Sequence, residues 1–296
     1  MATLKDVKTK IGAVKKTKQI TKAMNMVAAS KLRGAQSSMI GFRPYASKFA
    51  EVLGSLAERG GNEANQLLAV REKISKINIL LCTSDRGLCG GFNSNLMLKA
   101  ESFLKEKSKS DIKVSFACFG KKGRDWCRKK NLEIASEHVG IVGGRFGFNV
   151  AVKTGRKLID RYLDNEYDEV YVIYSEFKSV AKQLPVIKKL LPIPPIEAAE
   201  KSKEAEKKFL AEHICEPSPS ELLDDMLPRN IYVQIYSALL ETSTSEHAAR
   251  MAAMNNATKA CNDMINSLTL AYNKARQASI TADLMDIVGG AEALKG

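Results

Sequence analysis

With 296 residues, 45% of them hydrophobic, the chain holds enough apolar material for one sizeable core and one or two domains. Aromatics make up only 6%, while Ala, Lys, Met and Leu recur, a mix suited to extended helix packing and not to a β-sandwich. The net charge of +13 is concentrated: residues 1–50 carry eleven Lys/Arg against one acid, Asp6, a local charge of +10 that attracts nucleic acid, anionic lipid or an acidic protein surface.

Residues 1–58 are predicted to form a helix. Apolar residues at Leu4, Val7, Ile11 and Val14, then Ile20, Met24, Ala28, Leu32, Ala35, Met39 and Phe42, mark one narrow stripe with a phase break between Val14 and Ile20. Gly12, Gly34 and Gly41 weaken the helix locally, and Pro44 is expected to kink it or to mark a break just before it.

Residues 74–192 change period. Short apolar runs at Ile77–Cys82, Ile112–Phe119, Glu169–Tyr174 and Pro185–Leu191 read as strands, Pro185 suggesting an edge. Helical stretches at about Ser94–Lys107, Lys121–Lys130 and Phe146–Asn165 alternate with them. This pattern predicts a central Rossmann-like α/β domain with a largely parallel sheet.

Residues 193–228 combine Pro194, Pro195, Pro217, Pro219 and Pro228 with a Glu/Lys run, and are expected to be a loop. From Arg229 to Val288 there is neither Gly nor Pro, so 229–296 reads as one long helix, with a break conceivable at the Ser243-x-x-Glu246 capping box. Its stripe Met254, Ala257, Cys261, Met264, Leu268, Ala271, Ala275, Ala278, Ala282, Met285 alternates steps of three and four, the signature of a left-handed coiled coil. The only comparably long partner in the chain is the N-terminal helix, so the simplest architecture is an antiparallel coiled coil of the two termini; a dimeric parallel coil is the alternative.

Chemistry is scarce. No phosphate-binding G-x-x-x-x-G-K-[ST] loop is present. The glycine-rich loop Thr83–Asn93 follows a strand and opens a helix, where a Rossmann-like fold would hold a phosphate, but its glycines do not form G-x-G-x-x-G and no acid ends the second strand. His138, His213 and His247 lack metal spacing, and Cys82, Cys89, Cys118, Cys127, Cys215 and Cys261 form no CxxC pair and read as free thiols. No catalytic residue, cofactor or metal is expected. The N-terminal face has few aromatics for stacking on bases, which argues against nucleic acid. The N-terminus has no apolar h-region and no stretch approaches about eighteen uncharged apolar residues, so a protein made and kept in the cytoplasm without a membrane span is expected.

Three segments resemble a known family. Ile20-Thr-Lys-Ala-Met-Asn-Met-Val-Ala-Ala-Ser-Lys-Leu32, Ser84-Asp-Arg-Gly-Leu-Cys-Gly-Gly-Phe-Asn93, and Ala248–Met254 with Leu268–Thr281 resemble the gamma subunit of F-type rotary ATP synthases, and the likeness spans essentially the whole chain. The resemblance implies a non-catalytic central-stalk rotor of a proton-translocating synthase, inside a ring of alternating alpha and beta subunits and above the epsilon subunit and proteolipid ring. It implies that Met24, Arg250, Arg276, Gln277 and Thr281 contact beta, that Asp85, Arg86, Gly87, Cys89 and Gly90 belong to a signature loop, and that the end near Ile287-Val288 sits in an apolar sleeve. A bacterial membrane-peripheral location on the cytoplasmic side follows. Asp283 and Asp286 stand where that family more often has Glu. A nucleotide-dependent enzyme using the 83–93 loop and a nucleic-acid scaffold are the competing readings.

Overall fold

The structure, a computed structural model, describes residues 4–60, 65–71, 73–107, 112–194 and 218–293. The 197–212 insert, with Pro195, His213, Cys215 and Pro217, lies outside the described residues. The chain divides into two compact units, Met1–Ala29 with Arg250–Gly296, and Ser30–Ala249.

The elements in order are α1 (Leu4–Gly60), β1 (Lys76–Cys82), α2 (Phe92–Lys107), β2 (Lys113–Phe119), α3 (Lys121–Lys129), β3 (Glu133–His138), α4 (Phe148–Leu163), β4 (Glu169–Phe177), β5 (Gln183–Leu191) and α5 (Pro219–Ala293). The five strands of the second unit form one sheet in the order β3-β2-β1-β4-β5. β1 runs parallel to β2 and β4, β2 runs parallel to β3, and β5 closes the sheet antiparallel to β4. The alternation of a strand puts Ile77, Ile79 and Leu81 on one face with Phe92, Leu96 and Phe103 of α2, and Leu80 and Cys82 on the other with Leu158 and Tyr162 of α4, Leu53 and Leu56 of α1, and Leu227, Ile231 and Ile235 of α5.

Sequence periodicity does not reveal β3. Glu133–His138 is polar and only half-buried, because it pairs on one side alone and needs no apolar face. Pro185 does sit on the edge strand, opposite Ser175.

Three expected breaks are absent. α1 continues through Pro44 and α5 through Pro228. Each proline frees one carbonyl, of Ile40 and Asp224, and both of those residues lie on exposed faces where water can hydrogen-bond the freed group. The α1 stretch is also anchored by the edge-on contact of Phe42 with Tyr236, ring centroids 4.7 Å apart. α5 starts at Pro219, ahead of the expected Arg229, and its cap is Ser218: the hydroxyl accepts the Glu221 N–H at 3.3 Å and donates to Glu221 Oε1 at 3.2 Å. Ser243-x-x-Glu246 caps nothing and lies buried within the continuous helix.

The expected seam shifts in the first unit. Half-buried positions on α1 fall at Leu4, Val7, Ile11, Val14, Lys18, Thr21 and Asn25, with Ala28 buried, steps of three and four without a phase break, and the expected Met24 is half-buried beside Asn25. Ile20 points out, 60% exposed, because the seam there is carried by polar residues that apolar counting passes over. On α5 the covered positions include Met254, Ala257, Thr258, Cys261, Ile265, Leu268, Tyr272 and Ala275, whereas Met264 and Ala271 are exposed. The pairing is antiparallel: Thr21 and Thr258 hydroxyls lie 2.9 Å apart, and Asn25 Nδ2 donates to the Met251 carbonyl at 2.8 Å.

Candidate partner-binding surfaces

The loop between β1 and α2 is closed on itself. Asn93 binds Ser84 in both directions, its Oδ1 accepting the Ser84 N–H at 3.0 Å and its Nδ2 donating to Ser84 Oγ at 2.7 Å. Nδ2 also points at the buried Cys89 Sγ, 3.1 Å away, and Ser84 Oγ donates to the Arg86 carbonyl at 2.6 Å. Asp85 Oδ1 accepts two backbone N–H groups, of Lys121 at the start of α3 and of Gly140 after β3, each at 3.0 Å. Gly90 supplies the left-handed turn at φ +59, and Leu88 takes the same region at φ +64. Gly87 borders Lys122, and the Arg86 side chain is exposed. The signature residues thus serve to tie three strand ends together, which favours turn geometry over phosphate cradling for this loop.

The crevice beyond the carboxyl ends of β1 and β4, where the strand order reverses, is the usual ligand position in an open α/β sheet. Here α5 occupies that end. Ser245 Oγ donates to the Ser175 carbonyl at 3.1 Å, and Glu241 Oε2 accepts the Phe177 N–H at 2.7 Å. Glu241 Oε1 meanwhile takes Arg43 Nη2 at 2.8 Å from α1. All residues from Glu241 to His247 are buried, although each is polar or charged. A polar run enclosed on every side of a helix is unusual, and its hydroxyls return bonds to the helix itself, Thr242 to Ala238 and Thr244 to Leu240. Sequence reasoning missed this clamp by taking the run for a capping box; the signal was its density of short hydroxyl side chains inside an otherwise Gly/Pro-free helix.

Cys82, Cys89, Cys118 and Cys127 behave as core residues, and Cys261 is half-buried in the seam. Cys118 Sγ and Cys127 Sγ lie 3.6 Å apart, both buried, and burial pushes the Cys82 thiol far above its ordinary range. His138 stacks on Phe119 with centroids 4.5 Å apart, and burial, with Lys157 nearby, lowers its pKa.

The residues assigned to partner contact all lie in the first unit and split into two groups. Met24 and Arg250, both half-buried, flank the Asn25–Met251 bond. Arg276, Gln277 and Thr281 are exposed, with Thr281 Oγ1 donating to the Gln277 carbonyl at 2.9 Å. The register explains the split. Counting from the Thr21–Thr258 pair back to Leu4 on α1 reaches Ala275 on α5, the last covered residue. From Arg276 to Ala291 every side chain is exposed, including Ile280, Leu284 and Ile287 at 55%, 57% and 71%. The Ala-rich stretch expected to receive a close partner helix therefore has none along Ala278 and Ala282 among the described residues. On α1, Lys5, Lys8, Lys10, Lys15, Lys16 and Lys22 are exposed, a basic face opposite the seam. Asn25→Ala is expected to lower the stability of the paired helices by about 1 kcal/mol, read as a lower midpoint of helix melting by circular dichroism; an unchanged midpoint would mean the bond contributes nothing.

No helix among the described residues is long and apolar enough to cross a membrane. The ATP synthase family profile matches residues 3–294. The chain is 67% identical to the ATP synthase gamma chain of Desulfosudis oleivorans, over all of both chains, and 62% identical to that of Desulforapulum autotrophicum, over 99% of this chain and all of the other. Among solved structures it resembles the rotor of the Euglena gracilis mitochondrial ATP synthase, with TM-score 0.63 and 17% identity over 94% of this chain and 98% of that one. It also resembles a chain of the Tetrahymena thermophila mitochondrial central stalk and c-ring, with TM-score 0.58 and 24% identity over 80% of this chain and 99% of the other. The structural likenesses speak for the fold, and the full-length identities decide the family: this chain belongs to the ATP synthase gamma chain family.

Proposed function

We propose that this chain is the central-stalk rotor of a bacterial, proton-translocating ATP synthase, coupling ion-driven rotation to conformational change in a catalytic ring of alpha and beta subunits and carrying no catalytic site itself. The observation that carries this reading is the uncovered end of α5, where an apolar row at Ile280, Leu284, Ile287 and Val288 stands exposed with no covering helix among the described residues. Such a row gains from enclosure at roughly 25 cal/mol per Å² of apolar surface, so a surrounding sleeve of partner subunits fits it. The basic face of α1 fits an acidic surface on the same partners. In this reading Met24, Arg250, Arg276, Gln277 and Thr281 contact beta, residues 1–58 and 229–296 form the shaft, and the 74–192 domain meets the epsilon subunit and the proteolipid ring. The complex holds the chain at the cytoplasmic side of the cell membrane. A shaft that touches each catalytic subunit differently shifts their conformational populations by that difference in contact free energy.

Mixed with alpha and beta subunits, the purified chain is expected to co-assemble and raise their ATPase rate at least ten-fold, with no activity of its own. Arg276→Ala with Gln277→Ala is expected to lower ATP synthesis in reconstituted vesicles several-fold while assembly persists. Failure of the unmodified chain to co-assemble would sink the proposal.

A further inference from the structure

The second unit contains a cleft of about 380 Å³ between α1, the β4–β5 edge of the sheet and α5. Cavities that hold small molecules begin at about 300 Å³. One wall is apolar, built from Ala46, Ala50, Leu53, Val172, Ile193 and Pro194. The other is polar: Asn230, Gln234 and Ser237 follow one another at helical spacing on α5, with Tyr174 and Lys188 beside them.

The polar wall opens onto the cleft and is not tied up by protein partners among the described residues. Asn230 is 7% exposed and Tyr174 5%, yet neither polar end has a hydrogen-bond partner among the described residues. Gln234 and Ser237 make no side-chain hydrogen bond there either. Both residues are largely buried yet line the cleft, so a polar group entering it meets an amide and a hydroxyl that no described protein partner occupies. Lys188 supplies the charge. Its ammonium stands 5.6 Å from the centre of the Tyr174 ring and has no carboxylate partner among the described residues. The Tyr174 hydroxyl, the Asn230 amide and the Lys188 ammonium share one capacity, that of donating hydrogen bonds, and an anionic oxygen acceptor answers all three. The alanines opposite leave room for a flexible hydrocarbon segment.

We propose that this cleft binds an alkyl carboxylate, its head held by Lys188, Asn230 and Tyr174 and its chain laid along Ala46, Ala50 and Leu53. The site shares none of the residues assigned to beta-subunit contact, and its occupant braces the α1 and α5 segments against the sheet edge.

Calorimetric titration of the full chain with decanoate, below its micelle-forming concentration, tests this. Saturable one-to-one binding is expected, with decanol, which lacks the charge, and butyrate, which lacks the chain, at least ten-fold weaker. Lys188→Met and Asn230→Ala should each weaken decanoate about ten-fold or more, the loss expected for a charge-assisted hydrogen bond. Lys188 is on the exposed edge strand, so Lys188→Met decides the matter even where Asn230→Ala disturbs folding. Binding that does not saturate, that is equal for decanol, or that ignores Lys188→Met would overturn the proposal.

Discussion

Replacing Gly120 with Ala is expected to destabilise the sheet-bearing unit by about 2–5 kcal/mol, more than a change of one methyl group suggests. Two penalties combine. Gly120 holds φ +95 with ψ 144, a region almost closed to residues with a β-carbon. A β-carbon there would also collide with the Thr83 carbonyl and crowd the Thr83 hydroxyl. Neither neighbour can yield. Thr83 is fully buried, its N–H donates to the Phe119 carbonyl at 2.7 Å, and its Oγ1 accepts the Gly123 N–H at 2.8 Å. The single tryptophan is a reporter in the same unit, since Trp126 packs edge-on against Phe116 with centroids 5.9 Å apart. Urea unfolding followed by its fluorescence should show a much lower midpoint. Gly91→Ala, whose new β-carbon would meet Asn95 only at ordinary contact distance, should be near neutral. Equal midpoints for the two variants would refute the backbone account.

Glu241→Ala is expected to cost about 2–4 kcal/mol by the same measurement. The carboxylate joins α5 to β4 through the Phe177 N–H and to α1 through Arg43. Its removal strands a backbone donor that is buried with it, and that loss outweighs the ion pair. The Arg43 side chain is half exposed, so the pair itself is screened and Arg43→Met should cost under about 1 kcal/mol. Glu241→Gln, which retains an oxygen for Phe177, should fall between Arg43→Met and Glu241→Ala. If Glu241→Ala and Arg43→Met proved equally mild, α5 would not be clamped to the sheet through this residue. The clamp bears on function, because it fixes the long helix to the sheet through which the proposed foot contacts are made.

Among the described residues, strand and helix periods alone placed four of the five strands and four of the five helices to within a few residues, and of α5 missed only the first ten residues, since each buries a regular apolar face. β3 escaped because an edge strand with one partner and a half-wet surface can be polar: Glu133–His138 satisfies its backbone without any apolar pattern. The seam of the paired helices was misphased for a related reason. Lys18 and Thr21 carry the seam where apolar counting expects Ile20, Asn25 joins Met24 in it, and only the partner helix reveals that Thr21 meets Thr258.

Composition and period therefore determined the classes of element and the basic face, since these depend on residues near one another in the chain or on summed charge, and they favoured pairing of the two termini over a dimeric coil. The resemblance of Ile20–Leu32, Ser84–Asn93 and Leu268–Thr281 pointed to the family from sequence too. What the tertiary structure alone decided was where partners end and begin. Ala275 is the last residue α1 can cover, a consequence of register between segments more than 200 residues apart. The buried run Glu241–His247 is tolerable only because Ser175, Phe177 and Arg43 arrive from other elements to meet it. α1 runs past Pro44, and α5 past Pro228 and a false capping box, because packing and solvent satisfy what local preference would break, and no local pattern records that balance.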